Sequence, residues 1–339
     1  MEPFGSAIID FIETVYNLEL GKEQWLPKLL EAGRPVLDHG LGAFALTCLR
    51  PPQRGPVVID QIHVGSGPND LLQRVTRMQR ELPPDLVWPL SRPAMPRTLS
   101  DGAGNDFDAF NQVMRYFEFA KDAIGISVFD PDGRGVFLIA PLDKVTSLSK
   151  KASERWQMIG AHFGAGYRLR RALAQGASRP ETDLPHGAEA LIDPKSFRVV
   201  EAQGQAKSHN ALAALRTAAL HVDRARGALR ESDPEKALQL WTALVRGRWS
   251  TVDWFDSDGR RFVLGVPNAP NIFDPRGLTD REMQVVSYVL CGQTNKLIAY
   301  HLGLTRGRVS TLLRSAMRKL GVQTRAELIK KLNEFSAIR

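Results

Sequence analysis

The chain has 339 residues, 24% of them charged and 43% hydrophobic, which is the balance of an ordinary folded domain rather than a disordered or fibrous one. At ~150 residues per domain the length predicts two or three domains. The net charge is +8, and it is concentrated: Leu278 to Arg339 carries eleven Lys and Arg against four Asp and Glu, while the rest holds 34 against 33. A near-neutral body with a cationic tail predicts a polyanionic partner for the tail.

The first segment, 1–175, opens on an amphipathic helix with Ile8, Ile12, Val15 and Leu18 at helical spacing. The start is acidic and lacks the basic end and cleavage site of a signal peptide. No run reaches the ~18 apolar residues of a membrane span. A cytoplasmic protein with no membrane partner is expected. A second helix carries Trp25, Leu29 and Leu30. "GAFALTCL" and "PVVIDQIHV" are predicted strands around a turn at 51–55, and residues 78–104 are expected to be mostly loop. "NDFDAFNQVMRYFEF" predicts a helix, "IGISVFDPDGRGVFLIAPL" a hairpin, and 149–174 a long helix striped by Ala152, Trp156, Ile159, Phe163 and Tyr167. That helix is a candidate dimer contact. The aromatic cluster of Phe107, Phe110, Tyr116, Phe117 and Phe119 suits core packing better than a ligand pocket.

After the linker "QGASRPETDLPHGAE", the second segment, 188–270, begins with a strand-turn-strand. Helices follow, one with Asp233 as N-cap, Pro234 at the first helical position and Gly247 as its stop. A second hairpin, "STVDWFDSDGRRFVLGV", echoes the first: Phe129-Asp130-x-Asp132-Gly133-Arg134 matches Phe255-Asp256-x-Asp258-Gly259-Arg260. Both are Asp-Gly turns. A calcium loop needs a third oxygen ligand and a bidentate Glu, which neither supplies. Cys48 and Cys291 form no framework or metal spacing and are expected to fill core, and His63, His162 and His221 are expected to be ordinary residues. No cofactor or metal is predicted. Strand-helix-strand order ending on a long helix resembles, in layout alone, the small-ligand sensor folds called GAF and PAS. The expected fold is therefore multidomain: a GAF-like 1–175, a PAS-like 188–270, and an all-α tail.

The tail, 276–339, is written in caps. Thr279-x-x-Glu282 and Thr324-x-x-Glu327 are capping boxes, Thr294 and Thr305 are N-caps, and Gly292, Gly303 and Gly321 are stops. In the third of its four helices Val309, Leu312, Leu313, Ala316 and Leu320 share one face, and Ser310, Thr311, Arg314 and Arg318 the other. A helix held by its apolar strip with such a polar strip outward fits the DNA major groove.

The stretch "LTDREMQVVSYVLCGQTNKLIAYHLGLTRGRVSTLLRSAMRKLGVQTRAEL" resembles the LuxR/GerE-type helix-turn-helix domain, without a gap. The resemblance implies double-stranded DNA as partner. It places base reading at Ser310, Thr311 and Arg314, and backbone contacts at Thr294, Asn295, Lys296, Thr305, Arg306, Arg308, Arg318 and Lys319. It also places a homodimer contact on the fourth helix at Thr324, Glu327, Leu328 and Leu332. Arg308, Ser310 and Leu312 depart from the family's usual Thr, Lys and His, so its base preference does not carry over. Neither a receiver domain nor an acyl-homoserine lactone signature is found upstream. A small-molecule ligand or protein partner is left to the sensor-like segments.

No phosphate-binding loop, Gly-x-Ser-x-Gly elbow or His-Glu-x-x-His occurs, and the pairs Asp106/Asp108 and Asp256/Asp258 sit at cap or turn positions, so no enzyme is expected. Two other readings stand beside a dimeric regulator: a sigma-factor-like initiation protein, from "LLRSAMRKL", and a docking adaptor whose tail does not bind DNA.

Overall fold

The computed structural model describes residues 5–49, 57–83, 97–103, 107–130, 133–174, 183–270 and 278–336, with only the backbone of Arg97, Phe107 and 333–336. The expected turn at 51–55, Asp106, Asp132, most of the first linker and the join at 271–277 lie outside the described residues.

In the first segment, helices α1 (Ala7–Tyr16) and α2 (Lys22–Leu37) precede strands β1 (Ala43–Leu49) and β2 (Val58–Ser66). Then come α3 (Leu71–Glu81), β3 (Arg97–Thr98), α4 (Leu99–Ala103), α5 (Phe107–Met114), β4 (Asp122–Phe129), β5 (Arg134–Leu142) and α6 (Lys150–Ala174). The strands form a five-stranded antiparallel sheet in the order β2-β1-β5-β4-β3. β1 shows why both faces are covered. Ala43 and Ala45 face the core that holds α1, α2 and α6, while Phe44, Leu46 and Cys48 face a second core that holds α3 and α5. An alternating strand buried on both sides needs a helical layer on each. Tyr116 and Phe117 fill the second core, with Phe117 stacked on Phe44. The stretch 78–104 is less loop than expected, since α3 runs to Glu81 and residues 97–103 form β3 and α4. α5 stops at Met114, five residues short of the predicted helix.

The second segment adds β6 (Ala190–Ile192), β7 (Val199–Ala202), α7 (His209–Arg226), α8 (Leu229–Ser232), α9 (Pro234–Leu240), β8 (Trp249–Phe255) and β9 (Arg261–Pro267). Its sheet runs β7-β6-β9-β8. Asp233 caps α9 through Lys236 N at 3.0 Å, as expected, but the helix ends at Leu240 rather than at Gly247. Gly247, at φ +64, instead makes the turn into β8, beside Arg281.

The echoed hairpins share connectivity as well as sequence. In each sheet the last strand pairs antiparallel with the first: Leu138 of β5 opposite Ala45, and Leu264 of β9 opposite Leu191. Both turns close alike, with Asp130 N donating to Arg134 O at 2.8 Å and Asp256 N to Arg260 O at 3.1 Å. The carboxylates then diverge. Asp256 stays local and accepts from Asp258 N and Arg260 N. Asp130 is buried and takes both Nε and Nη2 of Arg168, at 2.8–3.0 Å.

The two segments share one core, although each also keeps one of its own, the second around Leu215, Trp249 and Val263. Leu238, Trp241, Val252, Leu264 and Val266 of the second pack in the same cluster as Ile12, Trp156 and Phe163 of the first. At its centre lies α6, buried at every position from Ile159 to Gly166. Small residues allow this. A Cβ on Gly164 would lie 2.4 Å from Val128 of β4, and one on Gly166 would lie 2.2 Å from Val15 of α1. A helix enclosed by its own chain has no face left for a second copy along this stretch, so the expected dimer contact on α6 is excluded from residues 159–166.

Asp130→Ala leaves the buried Arg168 charge without its carboxylate and is expected to cost about 3–5 kcal/mol. Asp256→Ala at the echoed position removes only a solvated turn cap, worth ~1 kcal/mol. Urea unfolding of the two variants side by side measures the difference.

Candidate nucleic-acid interface

The tail contains α10 (Asp280–Leu290), α11 (Asn295–Leu302), α12 (Arg306–Lys319) and α13 (Arg325–Ser336). The caps form as the sequence predicts. Thr279 N donates to Glu282 Oε2 at 2.8 Å while Glu282 N donates to Thr279 Oγ1 at 3.3 Å. Thr294 and Thr305 accept from Leu297 N and Arg308 N. Gly303 ends α11 in the left-handed region at φ +59, and Leu304 N returns to Ala299 O at 2.9 Å, as a Schellman closure requires. In the second box Glu327 N donates to Thr324 Oγ1 at 3.1 Å, and the Glu327 carboxylate accepts from Gln323 N at 2.8 Å.

These caps fix α12 against α10 and α11. Val309, Leu312, Leu313, Ala316 and Leu320 are buried in the tail core with Val286, Ile298 and Leu302, joined by Leu244 of the body. On the opposite strip Thr311, Arg314 and Arg318 are exposed and Ser310 is half-buried. Arg306 and Arg308 project from the first turn. The three residues expected to read bases therefore share one open strip beside three further arginines, Arg306, Arg308 and Arg318.

The other expected contacts are held in place. Asn295 donates to Ser310 Oγ at 3.3 Å and accepts from Arg325, which also reaches Gln293 O, so the start of α11 is tied to α12 and α13. Lys319 pairs with Glu282 at 2.6 Å. Burial would raise the Glu282 carboxyl, but Lys319, Ser315 and Thr279 outweigh it and bring it down to about 2. Lys296 pairs with Glu154 of α6. On α13, Thr324 and Glu327 are exposed, but Leu328 and Leu332 are buried in the tail core. The two leucines are corrected to core residues, because α13 needs its apolar face to close its own bundle.

The sequence did not reveal how the tail joins the body. Tyr300 of α11 lies with its hydroxyl 2.8 Å from Leu238 O, Trp241 O and His162 Nε2. His162 Nδ1 is 3.1 Å from the Tyr16 hydroxyl. In the Nε2–H tautomer Tyr16 donates to Nδ1 and Nε2–H donates to Tyr300, which donates to a carbonyl; in the Nδ1–H tautomer Tyr16 accepts from the ring and donates to Ala243 O at 3.3 Å, and Tyr300 donates to Nε2. Arg168 makes a second junction, donating to Asn268 O at 2.9 Å and lying 3.5 Å from the Tyr288 hydroxyl of α10. Gln284 donates to Gly247 O at 3.2 Å. Gly303 sits so close to the body that a Cβ there would lie 1.9 Å from Leu244 O. His162 and Tyr300 carry no sequence signal, because each sits singly in an apolar pattern. The body thus grips α10 and α11 and leaves the polar strip of α12 open. Among the described residues no cluster of three or more His, Cys, Asp or Glu side chains is placed to hold a metal ion, and no helix is long and apolar enough to cross a membrane.

Residues 276–332 match the family model described as bacterial regulatory proteins, luxR family. The tail is therefore a LuxR-family helix-turn-helix domain. Over 101 residues, 30% of its length, the chain is 29% identical to the HTH-type transcriptional regulator MalT of Vibrio campbellii and to that of Vibrio parahaemolyticus. The chain spans only 11% of the length of either relative.

Burial holds the His162 and His301 imidazoles at about 3, so both are neutral in the fold. The unfolded chain takes up protons near pH 6.5. Stability is therefore fully present above that pH and falls as pH drops from ~6.5 towards ~3, by up to ~1.4 kcal/mol per pH unit for each ring. Urea midpoints between pH 7 and 5 should show this slope, to which His39 and His221, also lowered by burial, add, and His162→Gln should remove one ring's share of up to ~1.4 kcal/mol per pH unit. Tyr300→Phe strips a hydroxyl from three buried partners and is expected to cost about 1–3 kcal/mol, read as a lower urea midpoint.

Proposed function

We propose that the chain is a bacterial DNA-binding transcription regulator. Ser310, Thr311 and Arg314 read base edges in the major groove. Thr294, Asn295, Lys296, Thr305, Arg306, Arg308, Arg318 and Lys319 hold phosphates. It acts as a homodimer on paired half-sites, meeting its copy through Thr324 and Glu327. The observation that carries this reading is the open cationic strip of α12 on a tail already docked against the body. The names of the MalT relatives and the luxR-family match support the same class.

The body is a GAF/PAS-like control module for a small molecule or a protein partner, and it is not enzymatic. Two antiparallel sheets with helices on their faces supply the layout that reading needs. A sigma-factor-like protein would need a helical promoter-melting domain in the same place. Because the reading strip is open in the docked state, control works through the geometry of the α6 junction rather than by uncovering α12.

Selection of bound sequences from a random duplex pool, followed by titration of the selected site, tests the function. Arg314→Ala in the full chain is expected to cost about 1–3 kcal/mol on that site and to relax preference at one base pair. If the unaltered chain shows no salt-dependent binding to any duplex, the regulator reading fails.

A further inference from the structure

An open groove of about 1220 Å³ runs between the tail and the body. One wall is the start of α11 and α12, with Thr294, Lys296, Thr305 and Arg306; the other is α6, α7 and the Leu244–Gly247 turn. The tail wall is the row already assigned to phosphate contact. The body wall continues it with two further exposed cations, Lys150 at the start of α6 and Arg246. Among the lining residues Glu154 is the single carboxylate, and it is paired with Lys296. The volume exceeds the ~300–1,000 Å³ of ordinary small-molecule pockets, and those enclose most of their ligand.

Arg246 adds an independent observation. It holds a left-handed φ of +50, which a branched or long side chain rarely adopts. Such strain persists only where the surroundings over-determine it, and it clusters at functional positions. Here the turn carrying Arg246 is the one that meets the tail at Gly303, so the strained residue stands beside the first turn of α12.

The geometry points to this groove as a track for one sugar-phosphate strand of the bound duplex, with Lys150 and Arg246 of the body extending the tail's phosphate row. The inference rests on the DNA-binding reading above. Charge complementarity and continuity with the tail's contact row select the strand as occupant. Glu154 opposes it: a phosphate arriving at Lys296 must displace that carboxylate, so Glu154 weakens binding by about one contact.

A salt titration of the full chain on a labelled mixed-sequence duplex of about 30 base pairs tests this, since each phosphate contact contributes ~0.9 to the slope of log K against log salt. Lys150→Gln with Arg246→Gln should lower the slope by about 1.8, worth roughly tenfold in affinity between 50 and 200 mM salt. Lys150→Glu alone, at an exposed helix start, gives the same direction without touching the Arg246 turn. Glu154→Gln should steepen the slope by about 1, and adding Lys296→Gln should abolish that gain. An unchanged slope in the Lys150 and Arg246 variants, with salt-dependent binding intact in the parent, overturns the track and leaves the regulator reading standing. No binding by the parent overturns both.

Discussion

Everything in this molecule turns on one enclosed helix. From Ile159 to Gly166, α6 is surrounded by its own chain, and its two buried polar residues, His162 and Arg168, are the points where three parts of the protein meet. A buried polar group is costly unless every hydrogen-bonding atom finds a partner. Each of these residues finds its partners on different segments. His162 joins α1 to α11, and Arg168 joins the Asp130 turn to Asn268 and α10. The interaction is therefore specific in a way that apolar packing is not. An oily surface tolerates sliding, whereas this one has a single arrangement that leaves no charge stranded.

That constraint links the body to the polar strip of α12. α11 is pinned by Tyr300, α11 is tied to α12 through Asn295 and the left-handed turn at Gly303, and α12 carries the strip. A displacement of α6 has a short mechanical route to Arg314, through packed side chains and one tight turn. Two states of such a junction would be discrete, because a close-packed interior does not deform continuously.

The tail was legible in the sequence nearly residue by residue, because its information is local. Caps at Thr279, Thr294 and Thr305, stops at Gly303 and Gly321, and a helical apolar period fix each element without reference to anything distant. The hairpins were legible for the same reason, in the second down to its Asp258-Gly259 turn. What stayed hidden was long-range. Asp130 and Asp256 look alike in sequence, yet only Asp130 is buried against an arginine, which depends on what α6 brings to it. His162 looked ordinary because its partners lie on segments far away in the chain. Resemblance places Leu328 and Leu332 on a dimer surface, whereas the tail needs them for its own closure. The stop at Gly247 failed because a glycine two turns past a helix is as easily a loop corner. Apolar pattern also cannot distinguish a helix with one buried stripe from one buried all round, which is why the glycines of α6 mattered more than its stripe.

Gly303 serves two masters. Its positive φ closes α11, and its missing Cβ lets the Leu244 carbonyl come within the space a methyl would fill. Chimeras built by grafting a foreign reading head onto this body would thus be filtered at a single atom. A donor with asparagine at the corner keeps a competent head, since asparagine tolerates that twist, yet it cannot seat, and the hybrid would carry its DNA-binding module on a loose tether.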